Sequence, residues 1–164
     1  MNRGPRKNIR LSGYDYSRVG AYFVTVCTTE RAPVYWKDFL CPELSPWGII
    51  VEEEIKGLTN RFPTVRIEKY VIMPDHVHIL LTLRRQGQSG EGRQGQSPCP
   101  TLGSVMGAFK SISTKRINRE VGAPGEKIWQ ARYYEHIVRG EEDFLATWQY
   151  IEENPVRWIE KHRV

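Results

Sequence analysis

The sequence predicts a single α+β domain in which helices cover one face of an antiparallel sheet. Three observations support this prediction. Short segments are rich in β-branched and aromatic residues, and longer segments carry apolar residues at helical spacing. Two of the short segments are separated only by a Pro-Asp turn, which predicts a hairpin. The segments alternate as β-α-β-β-α-β-α, an order typical of the ferredoxin-like split βαβ fold.

The N-terminal third predicts an arm, a strand and a helix. Residues 1–19 lack periodicity and are interpreted as an arm that leads into the domain. Residues 21–28 have the β-branched and aromatic composition of a strand, and a loop containing Pro33 and Pro42 follows. Ser45-Pro46 predicts a helix N-cap with proline in the first turn. The buried stripe of this helix is predicted to be Val51, Ile55, Leu58 and Phe62.

The middle of the chain predicts a hairpin and then a loop. Pro63 ends the preceding helix, and residues 65–73 form a strand. Pro74-Asp75 makes the tight turn, and His76 to Leu83 is the returning strand. Residues 84–100 are rich in Gly, Gln, Ser and Pro and contain Arg-Gln-Gly-Gln-Ser twice. This composition predicts a flexible loop inside one domain spanning residues 1–164, because too little chain lies on either side for two cores.

The C-terminal part predicts a helix, a strand and a final helix. Thr101 is the expected N-cap of the second helix, and a strand is predicted to cover about residues 127–138. Gly140 opens the third helix, which is expected to end at Asn154-Pro155. The apolar residues of the two helices are Leu102, Val105, Phe109 and Ile112, followed by Phe144, Trp148 and Ile151.

Composition excludes several classes of protein. The apolar fraction of 40% is sufficient for a core, and no stretch has the length of a transmembrane span. Three cysteines at scattered spacings match neither a disulfide framework nor a zinc knuckle. The expected location is therefore the cytoplasm, in association with the nucleoid, and no membrane partner is expected.

A net charge of +5 is compatible with nucleic-acid binding. Basic residues cluster at the N-terminus and again in the second helix. A solvated face or a floppy tail is the alternative explanation of each cluster, and for the N-terminal cluster it is about equally good. The residues predicted to bind DNA are Arg10, Lys110, Lys115, Arg116 and Arg132.

His76 and His78 form the first candidate site. They lie two residues apart in a predicted strand, so their side chains share one face, and both imidazoles can reach the same ion. Val77, Ile79 and Leu81 are expected to point to the opposite side, into the core. Two polar residues on a solvated sheet face would give the same pattern.

Tyr150 and Asn154 form the second candidate site. They are four residues apart on the last helix and therefore project from the same side on successive turns. An asparagine amide oxygen is an acceptable ligand for Mg²⁺ or Mn²⁺. A tyrosine on a helix is more often part of the core.

The residues of these two sites, together with several other stretches of the chain, resemble those of a known family. The chain resembles the single-tyrosine HUH transposases, in particular the REP-associated tyrosine transposases related to the smallest insertion-sequence enzymes. The resemblance spans residues 14–156 and is specific in its combination of a His-x-His strand with a distal Tyr-Ile-x-x-Asn-Pro segment. The matching stretches are 14–17, 20–25, 70–78, 109–111, 128–130, 133–139 and 150–156.

The resemblance implies a role for each of these residues. His76, His78 and Asn154 would bind Mg²⁺ or Mn²⁺, and Tyr150 on a C-terminal catalytic helix would attack the DNA backbone. Asp75, where relatives often carry Asn or Glu, is expected beside the ion but outside its ligand set. The implied reaction is metal-dependent cleavage and transfer of single-stranded DNA beside a hairpin, through a 5′-phosphotyrosine intermediate, in DNA transposition. The general base is unassigned, and both a homodimer and a monomer remain open.

Three alternative functions are compatible with parts of this pattern. A replication initiator or relaxase-like nickase would share the chemistry, although such proteins are usually longer. A hydrolytic metalloenzyme with His-x-His on a strand would not need Tyr150. A domesticated, non-catalytic protein that binds hairpin DNA would need neither the tyrosine nor a metal.

Overall fold

A computed structural model describes residues 20–84 and 100–163 of the chain. The N-terminal arm with Arg10, most of the predicted 84–100 loop and Cys99 lie outside the described residues. The elements are β1 (Gly20–Cys27), β2 (Trp36–Asp38), β3 (Cys41–Leu44), α1 (Pro46–Arg61), β4 (Val65–Ile72), β5 (His76–Leu83), α2 (Leu102–Val121), β6 (Tyr134–Val138) and α3 (Gly140–His162).

The main sheet has four strands in the order β4-β5-β1-β6, and every neighbouring pair is antiparallel. With α1 between β1 and β4 and with α2 between β5 and β6, this is the split βαβ arrangement of the ferredoxin-like fold. The α+β fold class predicted from the sequence is confirmed. β5 spans the predicted residues, and the short turn before it makes β4 and β5 the predicted hairpin.

The two faces of the sheet carry clusters of unequal size. α1 and α2 cover one face and enclose a large core that includes Val77, Ile79 and Leu81 of β5. These three residues point into the core, as predicted from strand alternation. α3 covers the other face, where the buried apolar residues are Phe23, Leu80 and Ile151. The helix that carries Tyr150 is therefore attached through a small cluster of its own.

The predicted caps of the first two helices are confirmed. The Ser45 hydroxyl accepts a hydrogen bond from the backbone N–H of Gly48 at 3.2 Å, with Pro46 in the first turn. The Thr101 hydroxyl accepts from the backbone N–H of Ser104 at 3.1 Å. Each hydroxyl satisfies one of the N–H groups that lack a partner at a helix start, which fixes where the helix begins.

Two predicted boundaries are wrong because tertiary contacts override the local pattern. The proline-containing loop holds the β2–β3 hairpin, which is anchored where the buried indole of Trp36 donates to the Ile72 carbonyl at 2.7 Å. The strand predicted for residues 127–138 covers only Tyr134–Val138. Upstream of it, Trp129 makes a single bridge with Thr28 and turns its indole into the core, where Nε1 donates to Ser113 at 2.8 Å.

α3 does not end at Asn154-Pro155, as predicted, but continues to His162. Proline at this position removes one backbone N–H, the one that would bond to the Ile151 carbonyl. Beyond the proline, the helix gains a tertiary contact. The Trp158 indole packs against Phe39 in the β2–β3 turn, with ring centroids 5.2 Å apart, and donates to the Phe39 carbonyl at 3.1 Å.

Candidate active site

The two histidines lie at the start of β5, immediately after the hairpin turn. They share the sheet face covered by α3, opposite the face of the large core. Their Nε2 atoms converge to 3.2 Å. Two imidazoles that meet in this way can bind the same ion: bonds of about 2.1 Å would place the two nitrogens roughly 3 to 3.4 Å apart.

The other nitrogen of each ring also has a partner. Nδ1 of His76 lies 2.6 Å from Oδ1 of Asp75, the residue before it. Nδ1 of His78 lies 2.7 Å from the hydroxyl of Thr25, which is directly opposite His78 on β1. Partners at Nδ1 orient a ring and direct Nε2 toward a ligand, as they commonly do around metal-binding histidines.

His78 is the more buried of the two histidines, with 4% of its surface exposed. Burial, together with the neighbouring His76, lowers its pKa from 6.5 to about 3, although a hydrogen bond with Asn154 acts in the opposite direction. The ring is therefore neutral at physiological pH. The neutral imidazole is the form that binds metal ions.

Tyr150 lies beside this pair, although it is far away in sequence. Its ring centroid is 5.4 Å from that of His78 and 5.8 Å from that of Phe23. Phe23 also stacks on His78, at 5.3 Å. Tyr150 remains 43% exposed, so a large substrate can approach the ring. Spacing in the sequence could not predict this encounter, which arises because Ile151 docks α3 onto Phe23 and Leu80.

Asn154 lies one helical turn after Tyr150 and interacts with His78. Its Nδ2 donates to the Tyr150 carbonyl at 3.1 Å, so the amide oxygen does not take part in that bond. The structure therefore brings together His76, His78, Tyr150 and Asn154 from a single chain. Their catalytic and metal-binding roles stay predictions.

The donor set fits a divalent ion that accepts both nitrogen and oxygen. Within residues 20–84 and 100–163, no three or more His, Cys, Asp or Glu side chains form a group that could hold a metal. A third protein ligand would therefore have to be of another type, and the Asn154 amide oxygen is such a group. Mg²⁺ and Mn²⁺ prefer oxygen ligands and retain waters, which suits a site with few protein ligands.

An aromatic cluster that the sequence did not predict closes the site near the end of α3. Trp158 lies 5.8 Å from the His76 ring and stacks on His162 at 4.2 Å, measured between centroids. Phe39 of the β2–β3 turn completes the cluster. Because the helix was expected to end at Pro155, Trp158 and His162 were not assigned to it.

The start of α3 is fastened to the edge strand β6. Nε2 of His136 lies 2.9 Å from an Asp143 carboxylate oxygen, and the same carboxylate accepts from the Arg139 N–H at 2.8 Å. These hydrogen bonds lower the pKa of Asp143, the largest effect coming from the backbone N–H of Arg139. Contacts with the rest of the fold thus hold α3 at both ends.

The residues predicted to bind DNA have different surroundings. Lys110 donates to the carbonyls of Gln130 and Ala131 at 2.7 and 3.0 Å. Arg116 pairs with Glu53 and Glu54 of α1. These contacts give both side chains partners within the protein. In addition, α2 covers the sheet face opposite the histidines. Lys115 and Arg132 are exposed. No observation tests DNA binding by these residues, so each remains a prediction.

Comparison with known proteins supports the class of protein that this geometry indicates. No family model matches the chain. A Haemophilus influenzae protein without an assigned function is 32% identical over 93% of this chain and 89% of its own length. A second protein from that organism, named as a candidate REP-associated tyrosine transposase, is 27% identical over 90% of this chain and 77% of its own length.

Solved structures agree. A REP-associated tyrosine transposase bound to a REP hairpin superposes with a TM-score of 0.56 and 25% identity, covering 92% of this chain and 77% of that one. A candidate transposase from Deinococcus radiodurans has a TM-score of 0.50 over 94% of this chain and 98% of its own. At 18% identity, the second structure supports the fold alone.

A ferredoxin-like sheet with paired histidines facing a tyrosine on the last helix is the arrangement that the resemblance to the tyrosine transposases implies. The relatives make the resemblance more specific: the chain is similar to a candidate REP-associated tyrosine transposase and to a solved one. The resemblance found in the sequence is confirmed. Among the described residues, no helix is long and apolar enough to cross a membrane.

Proposed function

We propose that this protein is a DNA transposase that cleaves and rejoins single-stranded DNA beside hairpin elements. Tyr150 is the nucleophile, and His76, His78 and Asn154 hold Mg²⁺ or Mn²⁺. The observation that carries the proposal is the position of the Tyr150 ring, 5.4 Å from that of His78, whose Nε2 converges with Nε2 of His76.

The residues divide the chemistry between them. When bound, a divalent ion neutralises charge on the scissile phosphate and polarises it. Tyrosine has an ordinary pKa of about 10 and is a weak nucleophile at neutral pH, so it needs this assistance as well as a precise position. The contact with Phe23 and the docking of Ile151 supply that position. The partial exposure of Tyr150 lets a DNA strand reach its hydroxyl.

In the proposed reaction, the phosphodiester bond that breaks is replaced by another phosphodiester bond, to Tyr150. The Tyr150 hydroxyl oxygen forms a bond to phosphorus as the bond from phosphorus to the 3′ oxygen breaks. The tyrosine proton is released, and the leaving oxygen takes up a proton to give a free 3′-hydroxyl. The 5′-phosphotyrosine that results is an ester of similar energy. A second 3′-hydroxyl can therefore attack it and restore Tyr150 without an external energy source.

The substrate class rests on the relatives and on the charge of the chain. The solved REP-associated tyrosine transposase is bound to a REP hairpin. A net charge of +5 favours the phosphate backbone. Hairpin DNA with a single-stranded flank is accordingly the proposed partner of this chain.

A covalent adduct provides the direct test. The full chain is incubated with Mg²⁺ or Mn²⁺ and a labelled single-stranded oligonucleotide that contains a hairpin, and the products are separated in SDS. The expected result is a labelled protein band with the wild-type chain. The band should disappear with EDTA or with Tyr150→Phe, which removes the nucleophilic oxygen.

Tyr134→Phe is a matched control for Tyr150→Phe. Tyr134 lies on the same sheet face, is 44% exposed, and also contacts Phe23, with ring centroids 6.4 Å apart. The same atom is removed in both variants, so only a specific role of Tyr150 would separate them. An adduct that persists in Tyr150→Phe would refute the proposed nucleophile. Metal-dependent hydrolysis without an adduct would favour a hydrolytic enzyme, and hairpin binding without metal or cleavage would favour a non-catalytic binding protein.

A further inference from the structure

The two histidines differ in the chemistry of the group at Nδ1. His76 faces the Asp75 carboxylate, which can only accept hydrogen bonds when ionised. The carboxylate therefore fixes the His76 proton on Nδ1. His78 faces the Thr25 hydroxyl, which can donate or accept. A hydroxyl is compatible with either tautomer of the neutral ring.

The position of Thr25 is fixed by the sheet. Thr25 in β1 is the direct register partner of His78 in β5, so the backbone ladder sets the distance between the two side chains. Thr25 is β-branched, which restricts rotation about its first side-chain bond. Phe23, two residues earlier on the same face, stacks on His78 and limits movement of the ring. The contact of 2.7 Å is thus built into the strand pair.

A hydroxyl suits this position because of where the protons of the two histidine rings lie. When both rings are neutral, His76 carries its proton on Nδ1 and has a lone pair on Nε2. The 3.2 Å contact between the Nε2 atoms is then a hydrogen bond only if His78 carries its proton on Nε2. In that state, Nδ1 of His78 accepts a hydrogen bond from Thr25.

A metal-binding state needs the other tautomer. With Nε2 of His78 serving as a ligand, its lone pair is used and the ring proton must lie on Nδ1. One proton leaves Nε2 and one is taken up at Nδ1, so the ring stays neutral. Nδ1 then donates to the Thr25 hydroxyl, which reverses its role. A side chain that could only donate, or only accept, would leave Nδ1 without a partner in one of the two states.

We propose that Thr25 is a positioning residue for His78, serving as the hydrogen-bond partner of both tautomers and so allowing Nε2 to become a metal ligand. This inference rests on the proposed function, because it concerns the same metal site. Thr25 contacts neither the nucleophile nor the DNA in this proposal and acts only through His78.

The test compares Thr25→Val with Thr25→Ser in the full chain. Valine keeps the shape and removes the hydroxyl, whereas serine keeps the hydroxyl. Thr82→Val is a matched control, because Thr82 lies on the same strand as His78 but its hydroxyl donates to Glu68 at 3.0 Å. Mn²⁺ affinity is measured from the electron paramagnetic resonance signal of free Mn²⁺. The ring nitrogens of His78 are followed by ¹⁵N NMR without metal, in mildly alkaline buffer.

Thr25→Val should weaken Mn²⁺ binding by about 10- to 100-fold, the usual effect of removing a partner from a metal-binding histidine. It should also shift the Nδ1 resonance of metal-free His78. Thr25→Ser should restore both properties, and Thr82→Val should change neither. The NMR shift requires no metal and no DNA, so it reports on the hydrogen bond even if the proposed chemistry is wrong.

Each unexpected outcome has a defined meaning. Unchanged Mn²⁺ affinity in Thr25→Val would overturn the positioning role, with or without an NMR shift. A loss of affinity without a shift at Nδ1 would show that the hydrogen bond is not the cause. Failure of the wild-type chain to bind Mn²⁺ would overturn the proposed metal site and this inference together. Loss of the adduct in Tyr150→Phe with normal Mn²⁺ affinity in Thr25→Val would overturn this inference alone.

Discussion

Shortening Ile151 to alanine tests how strongly α3 is attached to the sheet. Ile151 is 1% exposed and is the residue of α3 that belongs to the small buried cluster with Phe23 and Leu80. Alanine has a higher helix propensity than isoleucine, so the substitution does not weaken the helix itself. The contact that it removes is the one between helix and sheet.

The expected cost follows from burial. Replacing a buried isoleucine with alanine costs about 2 to 5 kcal/mol, and the lower part of that range applies where neighbours can relax into the gap. Trp148 and Phe144 pack against this cluster and are only partly buried. We therefore expect α3 to lose about 2 to 3 kcal/mol of docking free energy. At tenfold for every 1.4 kcal/mol, the undocked population rises roughly 30- to 150-fold.

Hydrogen exchange measures this opening residue by residue. In Ile151→Ala, the amides between Thr147 and Asn154 should exchange faster by that factor, whereas amides of α1 should be little affected. Ile55→Ala is the matched control, because Ile55 is fully buried in the large core. It should accelerate exchange in all elements. Equal acceleration in α1 and α3 by Ile151→Ala would refute the independent attachment of α3, as would no change in α3.

Two further predictions concern charged groups outside the site. Arg116→Met should lower the free energy of unfolding by about 1.5 to 3 kcal/mol in urea denaturation, because it removes charged hydrogen bonds to Glu53 and the buried Glu54. An unchanged affinity for hairpin DNA in the folded variant would assign Arg116 to the fold alone, and a large loss of affinity would support the DNA contact predicted from the sequence. Asp143 has a lowered pKa in the folded state, so its stabilising effect is present above its unfolded pKa and is lost as the pH falls through the folded value. The acid-dependent loss of stability should be smaller in Asp143→Asn, and identical pH profiles for variant and wild type would contradict this assignment.

The sequence predicted best those features that depend on neighbouring residues. The β4–β5 hairpin follows from strand alternation on either side of a short Pro-Asp turn, and the helix starts at Ser45 and Thr101 follow from capping chemistry. Placement of His76 and His78 on one face follows from the two-residue repeat of a strand. Local rules therefore fixed the direction of each side chain within its element.

Features that depend on distant partners could not be predicted in the same way. Continuation of α3 past Pro155 depends on the contact of Trp158 with the β2–β3 turn, and that hairpin is itself anchored by the indole of Trp36. The hydrogen bond between Thr25 and His78 depends on strand register, which alternation alone leaves undetermined. The meeting of Tyr150 with His78 depends on docking of a helix across the sheet. Only the family resemblance indicated it in advance.

The division of the sheet into two unequal faces has a consequence for how this chain can change. Most of the buried apolar residues lie under α1 and α2, whereas His76, His78 and Tyr150 lie on the opposite face. Substitutions of these three residues therefore leave the larger core intact. A variant without the tyrosine hydroxyl should therefore still fold, so the residues of this face can change while the larger core is kept.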